Sequence, residues 1–409
     1  MKIAIVGSGI AGLGAADALA STHDVTLFEA APRAGGHVYT VATDDGPVDM
    51  GFIVHNREHY PLFCALLHRL GIASRPTTMA FSVADGSREW GSASLSAMFA
   101  DRRNLASPRH WRFLVRVVRF LGQARRDLAA STFANQSLDE YLASRRVPRD
   151  VREHFVIPLA AALWSLAPDL CGAFPAVTYF AFLDQHGMLA PNQPLAWHTI
   201  AGGSRRYVDA LLADLAKRRF TLELATPVRS ISRTHGISIA TDAGARRFDR
   251  AIVATHADTA LALLADPTPA ERAALGAFRY SRNRTVLHTD RAFLPRHAAA
   301  HAAWNYVADP DTARVAVTYS MTKLQGLPDR PYLVTLNPRR EPRGILHEVE
   351  FAHPQFDRAA LVARDQLAGT LGTYYAGAHF GFGFHEDGLR SGTAAAHQLI
   401  ADLAVERSA

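Results

Sequence analysis

The sequence of 409 residues predicts an α/β protein, α+β overall, in which a parallel βαβ layer is interleaved with a helical and antiparallel-sheet domain. A strand, a glycine turn, a helix and a second strand fill residues 2–29, as a βαβ unit requires. Alternating apolar and polar residues with turns between them follow at 222–255 and predict a β-meander. Of two long insertions, 57–196 is mainly helical in pattern and 265–350 alternates like strands.

No internal repeat or low-complexity linker separates these pieces, so we expect two interleaved domains. The first is discontinuous, at 1–56, 197–264 and 351–409. The second, a substrate domain, consists of the insertions 57–196 and 265–350.

Composition agrees with two globular cores, because 48% of the residues are hydrophobic and 20% are charged. The net charge of +6 comes almost entirely from arginine without a nucleic-acid-binding pattern, so we expect no nucleic-acid partner. Cys64 and Cys171 fit no metal or disulfide spacing, which predicts a reducing compartment and no metal site. Without an apolar run of about eighteen residues, we expect a cytoplasmic protein, at most peripheral to the inner face of the membrane.

The N-terminal residues carry a phosphate-binding pattern. Gly7, Gly9 and Gly12 stand in the turn between strand and helix, and Glu29 ends the second strand. Gly7 permits the tight turn, Gly9 lets the backbone approach a pyrophosphate, and Gly12 lets the helix pack closely on the strand. The helix N-terminus offers N–H groups to phosphates, and Glu29 can accept hydrogen bonds from ribose hydroxyls. The pattern predicts a Rossmann-like dinucleotide site formed by Gly7, Ser8, Gly9, Ala11, Gly12, Glu29 and Ala30.

A second glycine pair indicates which dinucleotide is bound. Arg33, Gly35 and Gly36 directly follow the ribose acid, and VDMGFIVHN at 48–56 adds a further glycine-containing strand. A simple NAD site needs no second loop, whereas a long FAD needs close backbone approach beyond the pyrophosphate. With this R-x-G-G motif and the segment beginning at Asp49, the chain resembles the flavin-containing amine oxidoreductase superfamily, which includes amine oxidases, protoporphyrinogen oxidase and phytoene-desaturase-like enzymes.

This resemblance implies a glutathione-reductase-like FAD-binding domain and places VDMGFIVHN beside the isoalloxazine ring. It also implies that the backbone at Val228 contacts the adenine. In the closing segment, family members commonly have an acid where this chain has Ala378, so Glu386 or Asp387 is expected to take over part of that role. The segment has no cysteine, and we therefore expect noncovalent FAD. The further FAD contacts implied by the resemblance are Arg33, Gly35, Gly36, His37, Gly51, Phe52, Ile53, Val228, Gly377, Asp387, Gly388 and Leu389.

Four side chains near the predicted flavin-lining segments are candidates for catalysis, namely His37, His55, Tyr319 and His385. A histidine with a pKa near neutrality can carry the proton that accompanies hydride transfer, although each of the four also suits a structural role. Many amine oxidases place a lysine near flavin N5. Lys323 is the only lysine in the expected β insertion, and a position facing solvent is favoured for it.

Three functions stay open from the sequence. The first is hydride transfer between FAD and an apolar small-molecule or lipid substrate, an acyl chain or an isoprenoid, because desaturase-like relatives handle such chains. The second is a flavin amine oxidase, and the third is a non-catalytic FAD-binding partner of a lipid-modifying enzyme. WHTIAGGSRRYVDAL, TYSMTKLQGL and GFHEDGLRSG resemble a bacterial subgroup whose genes often neighbour cyclopropane-fatty-acid-synthase-like methyltransferases, which implies such a methyltransferase as partner.

The segment 108–130 predicts a basic amphipathic helix. One face carries Arg109, Arg112, Arg116 and Arg119, and much of the other carries Trp111, Leu114, Val118 and Leu121. Such a helix can lie in the interface of an anionic bilayer with its arginines toward the head groups. The alternative is an ordinary surface helix packed on the substrate domain.

Overall fold

The computed structural model describes residues 1–133, 136–164, 168–189, 195–308, 315–328, 330–364, 367 and 369–408. The strands are β1 (Lys2–Val6), β2 (Asp24–Phe28), β3 (Thr40–Thr43), β4 (Gly46–Asp49), β5 (Val54–Asn56), β6 (Ser74–Thr77), β7 (Phe81–Ala84), β8 (Glu89–Gly91), β9 (Trp197–Ile200), β10 (Phe220–Glu223), β11 (Val228–Ser232), β12 (Ile237–Thr241), β13 (Gly244–Phe248), β14 (Arg250–Val253), β15 (Arg279–His288), β16 (Trp304–Ala308), β17 (Val315–Ser320), β18 (Leu333–Leu336), β19 (Ile345–Gln355) and β20 (Thr373–Tyr375).

The helices are α1 (Ile10–Leu19), α2 (Pro61–Arg69), α3 (Leu95–Met98), α4 (Pro108–Ala129), α5 (Leu138–Ser144), α6 (Arg149–Val151), α7 (Ile157–Trp164), α8 (Pro168–Cys171), α9 (Ala176–Gln185), α10 (Arg205–Leu215), α11 (Ala257–Leu263), α12 (Pro269–Gly276), α13 (Met321–Gln325), α14 (Arg358–Arg364) and α15 (His385–Ser408). Within the described residues, no helix has both the length and the apolar character needed to cross a bilayer.

A parallel sheet of five strands, in the order β10–β2–β1–β14–β20, forms the first layer. The strands come from three distant stretches of the chain, and β11, β12 and β13 form the expected meander beside them. Because the strands are parallel, their carboxyl ends meet at one edge, where ligands bind in open α/β sheets. Gly7, Ala254 and Gly377 follow β1, β14 and β20 at this edge.

Helices α1 and α15 pack closely beside this sheet because glycines remove side chains between them. A Cβ at Gly392 would stand 1.9 Å from the carbonyl oxygen of Ala11, and one at Gly14 would stand 2.6 Å from a methyl group of Leu389. Both helices contribute to a core shared with the strands. Leu389, predicted as an FAD contact, therefore packs between the helices.

A second sheet has seven strands in the order β19–β15–β18–β17–β16–β7–β8, all antiparallel except the pair β16–β7. Helices α4 to α9 pack in a core that continues into both sheets. Within this core the rings of Phe120, Phe133, Tyr141 and Phe180 contact one another. The first insertion is thus mainly helical and the second mainly strand.

The chain leaves the first layer later than the predicted boundary at residue 56. Phe63 and Leu67 of α2 are buried in the core of the parallel sheet, and β6 pairs with β9. Strand β19 likewise continues past residue 350 in the second sheet. An amphipathic pattern predicts that a helix is half-buried but not which core covers it, so boundaries of interleaved domains are poorly specified by pattern alone.

Candidate functional site

The turn after β1 forms a cradle with the geometry of a phosphate site. Gly7 has a φ of +102°, and a Cβ at Gly12 would stand 1.9 Å from the carbonyl oxygen of Gly7, so both positions require glycine. At Gly9, by contrast, no atom lies within 4 Å of where a Cβ would stand. Gly9 and Ala11 line a cavity, and the first turn of α1 directs unpaired N–H groups toward that space.

Glu29 closes the cradle at the end of β2. Its Oε2 accepts hydrogen bonds from the backbone N–H and the hydroxyl of Ser8, at 2.9 and 2.6 Å, and its Oε1 accepts one from the N–H of Ala31. A carboxylate has about four acceptor sites, so the held group can still accept from ribose hydroxyls. Ala30 lies beside it in sequence but does not line the cavity.

The second glycine turn is held against the first. Gly35 and Gly36 have φ values of +116° and +56°, and a Cβ at Gly36 would stand 3.0 Å from the Cα of Gly9. The Arg33 guanidinium donates to the carbonyl oxygens of Gly36 and Val38 and lies over the Tyr39 ring. Arg33 therefore stabilises the second glycine turn through its hydrogen bonds. It does not line the cavity, contrary to its predicted role as an FAD contact.

The segment VDMGFIVHN runs along the cavity, and its acid and its glycine both have structural partners. Asp49 is buried and accepts hydrogen bonds from Thr40, Ser204 and Gln325. Burial raises the pKa of Asp49 to about 6, against the opposing effect of the hydroxyl donors. A Cβ at Gly51 would stand 1.9 Å from the carbonyl oxygen of His37, so this glycine permits close approach of two backbone segments.

One cavity of about 500 Å³ connects these elements. At one end lie the cradle and second turn, and the walls continue past Phe52 and Ile53 to the second sheet. The predicted residues that line it are Gly7, Ser8, Gly9, Ala11, Glu29, Gly35, Gly36, His37, Gly51, Phe52, Ile53, Tyr319, Gly377, His385 and Gly388.

The far part of the cavity, here called the chamber, is walled by Leu163, Trp164, Phe182, Trp197, Trp304 and Phe384. The Phe182 ring stacks on Phe384 with centroids 4.5 Å apart and contacts Trp164 at 5.0 Å. Among the described residues that line the whole cavity, Glu29 is the only carboxylate and there is no lysine or arginine. The chamber therefore presents mainly aromatic and apolar surface to a ligand, together with the His186 ring, which stacks on Phe182 at 3.7 Å.

Six buried or half-buried histidines supply many of the polar side-chain atoms of the wall. They are His37, His186, His256, His353, His379 and His385. Burial lowers the pKa of His37 to about 3, with a further lowering from His353 and His256. Burial likewise lowers the pKa of His385, to about 3. These rings are therefore neutral at pH 7.

The described part of the chain contains no cluster of histidine, cysteine or acidic side chains able to hold a metal ion.

Hydrogen bonds define the tautomers of two of these rings. The carbonyl oxygen of Ala352 can only accept, so His37 donates to it from Nε2 and leaves Nδ1 as an acceptor. Asn283 donates from Nδ2 to Nδ1 of His353, because its own Oδ1 accepts from Asn337. Burial lowers the pKa of His353 to about 4, so the neutral ring carries its proton on Nε2.

The closing segment corrects two predictions. The carboxylate of Glu386 accepts from the N–H groups of Leu62 and Phe63 at the start of α2, and that of Asp387 accepts from Phe382 and Phe384. Both acids cap backbone N–H groups and neither lines the cavity, so neither replaces the acid missing at Ala378. The neighbouring polar side chain that does line the wall is His379.

Further predicted residues lie away from the wall. Strand alternation turns Val54 to the cavity and His55 to the other side, where its Nε2 contacts the Ser74 hydroxyl and its ring the edge of Phe63. His55 is therefore no candidate for direct catalysis. Val228 is half-buried at the start of β11 and does not line the cavity. Lys323 is exposed on α13, as favoured from the sequence.

Sequence reasoning missed Thr255, His256, Asn283 and His353. A signal for the first pair was present, since both follow β14 at the carboxyl edge of a parallel sheet. No local signal marked the second pair, because β15 and β19 bring them together across 70 residues of chain.

The fold and the glycine cradle together define a dinucleotide-binding oxidoreductase. The sequence model of the family described as flavin containing amine oxidoreductase matches residues 10–343, which is most of the chain. The protein therefore belongs to this family and is an FAD-dependent oxidoreductase. The predicted family, α/β fold class and FAD cofactor are confirmed. No curated protein has a significant sequence match to the chain.

Solved structures share the whole fold at low sequence identity. A putrescine oxidase bound to putrescine is 14% identical, with a TM-score of 0.72 over 98% of this chain and 99% of that chain. Cyclohexylamine oxidase from Brevibacterium oxydans is 16% identical, with a TM-score of 0.71 over the same shares. A fatty acid isomerase from P. acnes that produces CLA is 17% identical, with a TM-score of 0.68 over 97% and 98%. At these identities the likeness concerns the fold alone.

Proposed function

We propose that this oxidoreductase transfers hydride between FAD and an apolar carbon chain, of the lipid acyl or isoprenoid class. The observation that carries the proposal is the chamber, whose described wall has aromatic and apolar side chains and no charged group. An acyl chain loses no hydrogen bonds on entering such a space, whereas a charged amine loses its hydration without gaining a carboxylate partner. FAD, when bound, supplies the hydride acceptor or donor.

The polar atoms of the wall suit this chemistry. Hydride transfer needs little acid–base machinery when the substrate carbon is already activated, and the histidines of the wall are neutral. His353 presents an N–H donor from Nε2, and His37 an unprotonated Nδ1. We assign two alternative roles to His353 and His37. They bind a polar end of the substrate, or they carry the single proton that accompanies hydride transfer. The fatty acid isomerase is compatible with the proposed substrate class, because it is a protein of the same fold that acts on a fatty acid.

Anaerobic stopped-flow spectroscopy of the bound flavin tests the proposal. Acyl lipids with unsaturated or methylated chains should reduce the oxidised flavin or reoxidise the chemically reduced flavin, while putrescine and cyclohexylamine should do neither. Phe182→Leu keeps an apolar wall and should retain the lipid response, whereas Phe182→Asp should abolish it with flavin still bound. The proposal would be contradicted if lipids left the redox state of the wild-type flavin unchanged while a simple amine bleached it rapidly.

The second candidate is a flavin amine oxidase. Two of the similar structures are oxidases of putrescine and of cyclohexylamine, and stacked aromatics such as Phe182 and Phe384 can frame an amine. Bleaching by amines, with loss of that response in Phe384→Leu, would establish it. The third function left open by the sequence, a non-catalytic FAD-binding partner of a lipid-modifying enzyme, is not proposed, because the chain belongs to a family of oxidoreductases. The methyltransferase partner stays a prediction, tested by co-purification with a tagged enzyme.

A further inference from the structure

Helix α4 exposes apolar side chains that the core does not use. Its buried face carries Phe113, Val117, Phe120, Leu121 and Ala124. On the outward face, Trp111 is 49% exposed, Val115 46% and Val118 62%, at the i, i+4 and i+7 spacing of one helical stripe. Leu121, predicted on the apolar face, packs in the core, and the exposed stripe lies between that buried face and the arginines.

The stripe continues into the segment that precedes the helix. Leu105, in the 3₁₀ turn Arg102–Ala106, is 52% exposed, and the Trp111 indole donates to its carbonyl oxygen at 3.0 Å. The Trp111 ring also packs on Phe99 with centroids 4.7 Å apart. These contacts hold the indole at the surface, so Leu105, Trp111, Val115 and Val118 form one ordered patch, here called the apolar stripe.

Positive charge borders the apolar stripe. Arg109, Arg112 and Arg119 are exposed and form no ion pair within the described part of the chain. Arg116 differs, because it pairs with Asp150. Between residues 108 and 126 the helix has no acidic side chain, and Asp127 is buried against Arg145. The bordering surface is therefore basic without internal neutralisation.

We propose that this face of α4 docks on an anionic lipid bilayer. An apolar stripe with a tryptophan at one end can enter the interface between head groups and acyl chains, while the flanking arginines meet the anionic head groups. Charge complementarity selects this occupant over a second copy of the chain, which would bring another set of arginines to the same face. The proposal concerns where the protein works and is independent of which substrate it oxidises or reduces.

Flotation with vesicles tests the proposal on the flavin-loaded protein. Vesicles of phosphatidylcholine and phosphatidylglycerol should carry the wild type at low salt, and vesicles of phosphatidylcholine alone should not. The variant with Arg109→Gln, Arg112→Gln and Arg119→Gln should bind about 100-fold more weakly, from the surface attraction of three arginines. At 1 M salt, where the Debye length is about 3 Å, much of the wild type should be released.

Two further variants separate docking from general charge and from misfolding. Trp111→Ser, Val115→Ser and Val118→Ser together should also release the protein while leaving flavin absorbance unchanged. Arg272→Gln, Arg343→Gln and Arg358→Gln together remove the same charge from exposed sites elsewhere and should leave flotation intact. The proposal is overturned if this control loses flotation to the same extent, or if the stripe variant floats as the wild type does. A wild type that ignores anionic vesicles but forms a dimer lost in the stripe variant assigns the face to a second copy and also overturns it.

Discussion

Asn283 donates a hydrogen bond of 2.8 Å to Nδ1 of His353, at the wall of the cavity. Asn283 is itself oriented, because its Oδ1 accepts from Asn337 at 2.7 Å and Oδ1 of Asn337 accepts from the N–H of Arg284. This chain of donors begins at the backbone and ends at the ring. It holds the proton of His353 on Nε2, and it makes Asn283 a positioning residue for that ring.

Asn283→Asp should reverse the tautomer of His353. A carboxylate only accepts, so it would draw the proton to Nδ1 and leave Nε2 unprotonated. Nitrogen-15 NMR of histidine-labelled protein distinguishes the two tautomers, and the signal that disappears in His353→Gln identifies the residue. We expect the rate of substrate-linked flavin reduction or reoxidation to fall about 100-fold. An unchanged tautomer in Asn283→Asp would contradict the assigned role.

Gly9→Val and Gly12→Val should fail in different ways. At Gly9 a side chain meets no protein atom within 4 Å and has an ordinary φ of −64°, so the variant should fold but exclude the pyrophosphate. At Gly12 the Cβ collides with the carbonyl oxygen of Gly7, so that variant should be unstable. Flavin absorbance and thermal unfolding measure the two effects. The wild type should release free FAD on heat denaturation, and full flavin occupancy in Gly9→Val would show the cradle to be misassigned.

Buried histidines should make the protein sensitive to acid. Burial lowers the pKa of His288 to about 4, against the ordinary value of 6.5 that the unfolded chain retains. Below pH 6.5 the unfolded state binds a proton, whereas the folded state binds it only near pH 4 and below. The free energy of unfolding therefore decreases as the pH falls through this range. Each such ring adds about 1.4 kcal/mol per pH unit to the slope inside that window.

Urea denaturation between pH 4.5 and 7 measures this slope, with the pH range chosen to span the window of about 4 to 6.5. His288→Gln removes one buried ring away from the cavity and should flatten the slope. His68→Gln, at an exposed position on α2, should leave it unchanged. Equal slopes in the wild type and His288→Gln would show that this ring titrates alike in both states.

Asp49→Ala should destabilise the junction between the two sheets. Its carboxylate joins Thr40, the Ser204 turn and Gln325 of α13, and removing it leaves several buried donors unsatisfied. We expect a loss of about 3 kcal/mol in the free energy of unfolding. Asp44→Ala in the turn between β3 and β4 breaks only an exposed pair with Arg330 and should cause no measurable change. Urea denaturation of both variants compares the two.

The sequence by itself determined the cradle, the second glycine turn and the family. Gly7, Gly12 and Gly36 stand where a Cβ would strike the backbone or the backbone is left-handed, and such local requirements leave a readable pattern. Tertiary structure decided which polar groups reach the cavity. It brought Asn283 to His353 across β15 and β19, turned His55 away from the wall and used Asp387 as a cap. Those outcomes depend on long-range pairing and burial. The exposed stripe of α4 depends on them as well. A helix pattern shows that one face is buried, but only the neighbours that pack against the helix decide which face it is.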